Sequence, residues 1–262
     1  MNSQNTLMSL VEKSLIRRDR TIILWTVLAV VVLAWGVMWN QARGMEHMNP
    51  HMAMCSMPRA SSWNPADMFF LFGMWTVMMT AMMLPAVIPT TLLFTMVNRQ
   101  RKESQNPFVP TWIFLSGYLA VWTVFSCLAA FLQMYLHKKI LLSPLMVSTS
   151  SSLSGLLFIF AGVYQFTSLK EVCLRHCQTP LNFLMTSWRE GKVGAFFMGL
   201  QHGMYCSGCC WILMMLLFAL GVMNIWGILF LSLFVLIEKN FSIKNIPGIL
   251  LIIWGIFVFF TP

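Results

Sequence analysis

Residues 194–220 read Gly-Ala-Phe-Phe-Met-Gly-Leu-Gln-His-Gly-Met-Tyr-Cys-Ser-Gly-Cys-Cys-Trp-Ile-Leu-Met-Met-Leu-Leu-Phe-Ala-Leu, with no Asp, Glu, Lys or Arg among them. An α-helix rises 1.5 Å per residue, so about 20 apolar residues cross the roughly 30 Å hydrocarbon core of a bilayer. This run is longer than that and predicts a membrane span. It also carries side chains that lipid has no use for. His202, Cys206 and Cys209 are spaced i, i+4, i+7 and therefore share one helical face.

Met198 and Tyr205 fall on the same face, with Cys210 at its margin. Gly199, Gly203 and Gly208 would let a neighbouring helix approach closely, as small residues do in membrane bundles. Cysteines alone can serve as small hydrophobes in a packed helix. A histidine with two cysteines at helical spacing inside an apolar run points instead to a metal or redox site. His202, Cys206, Cys209, Cys210 and Met198 are its candidates.

The rest of the chain belongs to the same class. It is 58% hydrophobic and 10% charged, where soluble domains carry about 25% charged residues. The apolar runs predict spans at Thr21–Trp39, Asp67–Val97, Thr111–Leu136, Ser151–Leu169, Gly194–Leu220, Val222–Ile237 and Ile246–Phe260. The expected fold is an all-α polytopic transmembrane bundle of about seven spans, or six if the short last one is re-entrant. A tight turn at Gly221 makes the fifth and sixth spans antiparallel neighbours. No internal repeat is visible.

The net charge of +9 is topological. With the N-terminus in the cytoplasm, Arg43, Arg59, Lys138 and Lys139 lie outside, and the other 13 of the 17 Lys and Arg lie inside. That is the positive-inside pattern, and it argues against a nucleic-acid partner. Residues 1–20 read as a basic cytoplasmic tail. Residues 21–39 read as a signal-anchor helix that is retained, because no small-x-small cleavage site follows. Residues 40–66 form an outer Met/His-rich loop. Residues 67–262 form the multi-span, metal-binding membrane domain.

Three further sets of soft ligands stand out. Met74, Met78 and Met82 line one helical face, above Pro85 and Pro89. Methionine stripes often fill flexible cores, but depth favours Met78 and Met82 as ligands. Met78 lies about 16 Å in from the outer end of its span and Cys206 about 18 Å in from the inner end of its own. The outer loop holds Met45, His47, Met48, His51, Met52, Met54, Cys55 and Met57. Thioethers and imidazoles with a lone thiol suit Cu(I) capture, the alternative being an amphipathic segment on the membrane surface. Cys173, His176 and Cys177 lie at the inner end of the fourth span and read as an exit site or a structural clip.

Signals for other chemistry are missing: no Gly-rich phosphate loop, no carboxylate pair within a span, no Ser-His-Asp arrangement. Catalysis is therefore not the first expectation.

Several motifs together resemble a known family. They are Met78-Met79 through Pro85 and Pro89, and Gly162-Val-Tyr164-Gln165-Phe166-Thr167 leading to Lys170, Cys173 and Cys177. Further on come Trp188-Arg189-x-Gly191-x-x-Gly194-Ala195 and His202-Gly203-x-Tyr205-Cys206-x-Gly208-Cys209-Cys210-Trp211. Gly221-Val-Met223-Asn224 and Glu238-Lys239 complete the set. From about Asp67 onward the chain resembles a bacterial family of predicted metal-binding integral membrane proteins, whose domain has no assigned function. The resemblance implies an inner-membrane, multi-pass protein that binds metal, and no settled activity.

The reading that joins these features is the handling or transport of Cu(I), with zinc or another transition metal as the alternative ion. The partners are the bilayer, the metal ion, and a metallochaperone or larger membrane complex. Two alternatives remain open: a membrane-embedded copper or thiol redox enzyme, and a metal-holding assembly subunit.

Overall fold

The computed structural model describes residues 2–46, 65–102, 109–138, 151–241 and 246–260, and the regular elements among them are all helical. In order they are α1 (Asn2–Glu46), α2 (Pro65–Lys102), α3 (Thr111–Lys138), α4 (Ser151–Tyr164) and α5 (Ser168–Gln178). Then come α6 (Pro180–Thr186), α7 (Gly191–Met215), α8 (Leu217–Leu220), α9 (Ile225–Asn240) and α10 (Ile246–Phe260).

Four segments are long and apolar enough to cross a membrane: Arg20–Gly44, Pro65–Arg99, Thr111–Lys138 and Gly191–Leu220. A fifth exists if α4 and α5, which meet at 68°, count as one broken span. The expectation of about seven full crossings is thus met only in part. Helices α9 and α10 have 16 and 15 residues, so they rise only about 24 and 22 Å. Large apolar side chains such as Leu33, Phe69, Trp226 and Phe260 are exposed, consistent with membrane insertion.

Helix α1 runs unbroken from Asn2 to Glu46 and so takes in both the stretch read as tail and the stretch read as anchor. It packs chiefly along α2. The segment 170–193, which follows the fourth predicted span, is largely helical and folds back onto α7. Local signals explain this. The Thr167 side chain accepts from the Lys170 N–H at 3.4 Å and starts α5. Pro180 then opens α6, where its missing N–H costs nothing.

Helices α3 and α7 run parallel and in close contact. Gly199 faces the backbone of Phe114, and Gly117 faces that of Phe196 and Leu200, with no room for a Cβ at either position. Helices α4 and α10 pack antiparallel, Gly155 against Gly255 and Gly162 against Gly248. The turn after α8 needs Gly221, whose φ of 97° lies in the left-handed region. Asn224 then caps α9 by accepting from the N–H groups of Trp226 and Gly227 at 3.2 and 3.3 Å. The core centres on α2, where Met74, Met78, Met79, Met82 and Met83 are all buried. Trp75 Nε1 donates to Gln133 Oε1 at 2.6 Å and ties α2 to α3.

Candidate metal centre

Helical periodicity does for α7 what the spacing implies: His202, Cys206, Cys209 and Cys210 are all buried on its inward side. What surrounds them depends on three other helices.

The first is α5. Its bend away from α4 carries Cys177 to the neighbourhood of Cys206 and Cys209 on α7. Cys210 also lies within reach of Cys206 and Cys209. Cys173 packs against α7 where Gly208 leaves space; a Cβ there would come within 2.8 Å of the Cys173 sulfur. His176 stacks on Tyr205, with ring centroids 4.1 Å apart and planes at 12°. Its Nδ1 lies 2.8 Å from the Val172 carbonyl. A carbonyl only accepts, so Nδ1 carries the proton and the lone pair of the neutral ring is on Nε2. The structure thus joins Cys177, expected at a separate inner site, to the buried set.

The second helix is α9. Lys239 Nζ donates to Cys206 Sγ at 2.8 Å. Lys239 is 8% exposed and Cys206 1%, so a charged hydrogen bond here works at low dielectric. Beside it, Glu238 Oε1 lies 2.6 Å from Lys170 Nζ of α5. Gln178 Nε2 donates to the Glu238 carbonyl at 2.9 Å.

The third helix is α3, with α2 behind it. Tyr118 lies between them, its hydroxyl 3.0 Å from the Met83 carbonyl and 3.1 Å from Cys206 Sγ. Thr90 Oγ1 of α2 is 3.3 Å from His202 Nε2. The His202 ring sits among Phe114, Tyr118 and Phe183. Its Nδ1 is buried without a hydrogen-bond partner.

The other candidates are dispersed. Met78 and Met82 are buried in the α2 core. Met82 neighbours Met83, whose carbonyl reaches the cysteines through Tyr118, and Met78 lies one further turn, about 6 Å, along α2. The Met198 sulfur accepts from the Arg189 N–H at 3.4 Å, two turns, or about 12 Å, from Cys206. Met45 is in the last turn of α1. His47, Met48, His51, Met52, Met54, Cys55 and Met57 lie outside the described residues.

Among the described residues no group of three or more His, Cys, Asp or Glu side chains is set to hold a metal as it stands. The reason is local. Cys209 and Cys210 turn their thiols back onto the Cys206 carbonyl, at 3.1 and 2.9 Å, and Lys239 and Tyr118 engage the Cys206 sulfur. The donor types nonetheless suit a soft cation. Several thiols and an orphaned imidazole nitrogen are buried along one helix, and rotation of two side chains about χ1 would free two sulfurs.

Sequence reasoning missed Tyr118 and Thr90, and it gave Lys170, Glu238 and Lys239 no role beyond family motif and charge count. One signal for Lys239 was available. Cys206 lies fourteen residues before Leu220 and Lys239 fourteen after Ile225, so an antiparallel hairpin about the Gly221 turn brings them to one level.

Fold and site together define a helical protein with long apolar helices around a buried thiol cluster. The chain matches the family model described as PpoB2, copper chaperone, over residues 72–258, and it belongs to that family. The matched stretch contains every thiol of the cluster and leaves out the Met/His loop. Comparison with curated proteins and with solved structures finds no match. The family is copper-related, in agreement with the soft ligands read from the sequence.

Proposed function

We propose that this protein is a membrane-embedded copper handler that binds Cu(I) between Cys206 and Cys209, with Cys177 and Cys210 as additional thiols. The observation that carries the reading is the burial of Cys206, Cys209 and Cys210 together on α7, with Cys177 approaching them from α5, which packs on that helix. Cu(I) favours a few soft thiolates, and a membrane interior is a costly place for idle ones. Zn(II) prefers four ligands in a tetrahedron and is the competing ion. His202, one turn from Cys206, is a further ligand through its unpartnered Nδ1.

On this reading the outer Met/His loop collects copper, the buried thiols hold it, and Cys173 and His176 line its way to or from the cytoplasm. The chain is a multi-pass protein of the bacterial inner membrane with its N-terminus inside, and the two short helices α9 and α10 complete or partly re-enter the bilayer. Two of the lysines counted as cytoplasmic, Lys170 and Lys239, are buried in ion contacts. Removing them from the 13 leaves eleven against four, and the positive-inside bias stands.

The test is metal content of anaerobically purified protein, beside a Cys206→Ser/Cys209→Ser variant and a His202→Ala variant. Roughly stoichiometric copper in the wild type, lost in the double serine variant and reduced in His202→Ala, is expected. Negligible copper in all three overturns the reading. A second reading, thiol redox chemistry, is favoured by the same contact of Cys177 with Cys206 and Cys209. A copper-free wild type with a reversible disulfide from Cys177 to α7 would select it.

A further inference from the structure

We propose that Lys239 sets the charge preference of the thiol site, favouring a monovalent soft cation over a divalent one. The inference rests on the copper reading above and adds a specificity-determining residue to it.

The charges around the cysteines are few. Lys170 and Glu238 face each other at 2.6 Å and cancel. Lys239 is adjacent to Glu238 in sequence, but that carboxylate is turned to Lys170, and Lys239 points to Cys206 at 2.8 Å. One ammonium therefore remains beside the sulfurs in a region closed to water. Tyr118, the other polar group on Cys206, is an uncharged hydroxyl.

An ammonium in that place acts on whatever metal enters. Cu(I) held by two thiolates carries one net negative charge, which Lys239 neutralises. Zn(II) held by the same two thiolates is neutral, and the ammonium is left buried without a counter-charge. Cu(I) and Zn(II) share a closed d shell and differ by one unit of charge. Coulomb repulsion scales with that charge, and at an effective dielectric of about 20 and a few ångströms' separation the extra unit is worth well over tenfold in affinity. Geometry alone would not give this discrimination, because thiolates bind both ions tightly.

The experiment is competition between chelator-buffered Cu(I) and chelator-buffered Zn(II), under anaerobic conditions, on the full-length protein in detergent. Lys239→Met is expected to raise zinc affinity relative to copper at least tenfold. Lys239→Arg, which keeps the charge, should hold the wild-type ratio. If Lys239→Met does not elute as a folded species, Lys239→Gln carries the test, since it retains a donor for Cys206 without the charge and should move the ratio in the same direction. Wild-type copper binding with the ratio unmoved in the uncharged variant overturns this inference alone. A wild type that binds neither ion overturns the copper reading and this inference together.

Discussion

At the scale of single residues, the buried charges matter most. Removing one partner of a buried ion pair strands the other, which costs about 3–5 kcal/mol, whereas replacing both with apolar groups is often close to neutral. Lys170 and Glu238 form such a pair, with side-chain exposures of 2% and 5%. Glu238→Gln should therefore lower the thermal stability of the purified protein markedly. A Lys170→Met/Glu238→Met double variant should recover most of it. If the single and double variants melt at the same temperature, the pair has no such role. The chemistry of these residues was partly legible in the chain itself. His202, Cys206 and Cys209 could be placed on one face because helical periodicity is a local property. Lys170 and Lys239 were read as surface charges obeying the positive-inside rule, because burial is not visible in a residue's identity. Only a partner on another helix keeps an ammonium inside.

At the scale of elements, helix contacts decide whether the site is assembled. Membrane helices gain little from the hydrophobic effect against one another and depend on close packing. The seam of α3 and α7 relies on Gly199 facing the Phe114 backbone. Gly199→Ala would force the two helices apart, at a typical overpacking cost of about 1–3 kcal/mol. It should also loosen the Tyr118 contact to Cys206, which spans that seam. The expected result is a lower melting temperature together with weaker copper binding; weaker binding without any thermal change would point away from the seam. The glycines on α7 marked that helix as closely packed, but not its partner. The Met-lined α2 touches α7 through Thr90 and His202, and α3 is the helix whose backbone meets its glycines. Glycine says that something approaches and leaves its identity open. The bend between α4 and α5 was likewise hidden inside one apolar run, Ser151–Leu169. Its signal, Thr167 as a cap, is shared by many residues that cap nothing.

At the scale of the molecule, the thiol cluster is a junction of α5 and α7, with α3 and α9 closing it. A ligand that binds only the folded state stabilises it by about 2.7 kcal/mol at a hundredfold excess over its dissociation constant. Cu(I) should thus raise the melting temperature of the wild type. Cys177→Ser should lose part of that rise, although Cys206 and Cys209 remain, because the metal would no longer tie α5 to α7. An undiminished shift in Cys177→Ser would remove Cys177 from the ligand set. The sequence by itself determined the class of the chain: apolar helices long enough for a bilayer, soft ligands on one face of α7, and a copper-related chemistry. These follow from composition and from the 3.6-residue period, both properties of neighbours along the chain. The tertiary structure alone decided that Cys177 joins the α7 thiols and that an ammonium, from a helix 33 positions later, sits on Cys206. Those facts depend on a bend, a hairpin register and a glycine seam acting together. None is encoded at a single position, so each became readable only when the helices were packed.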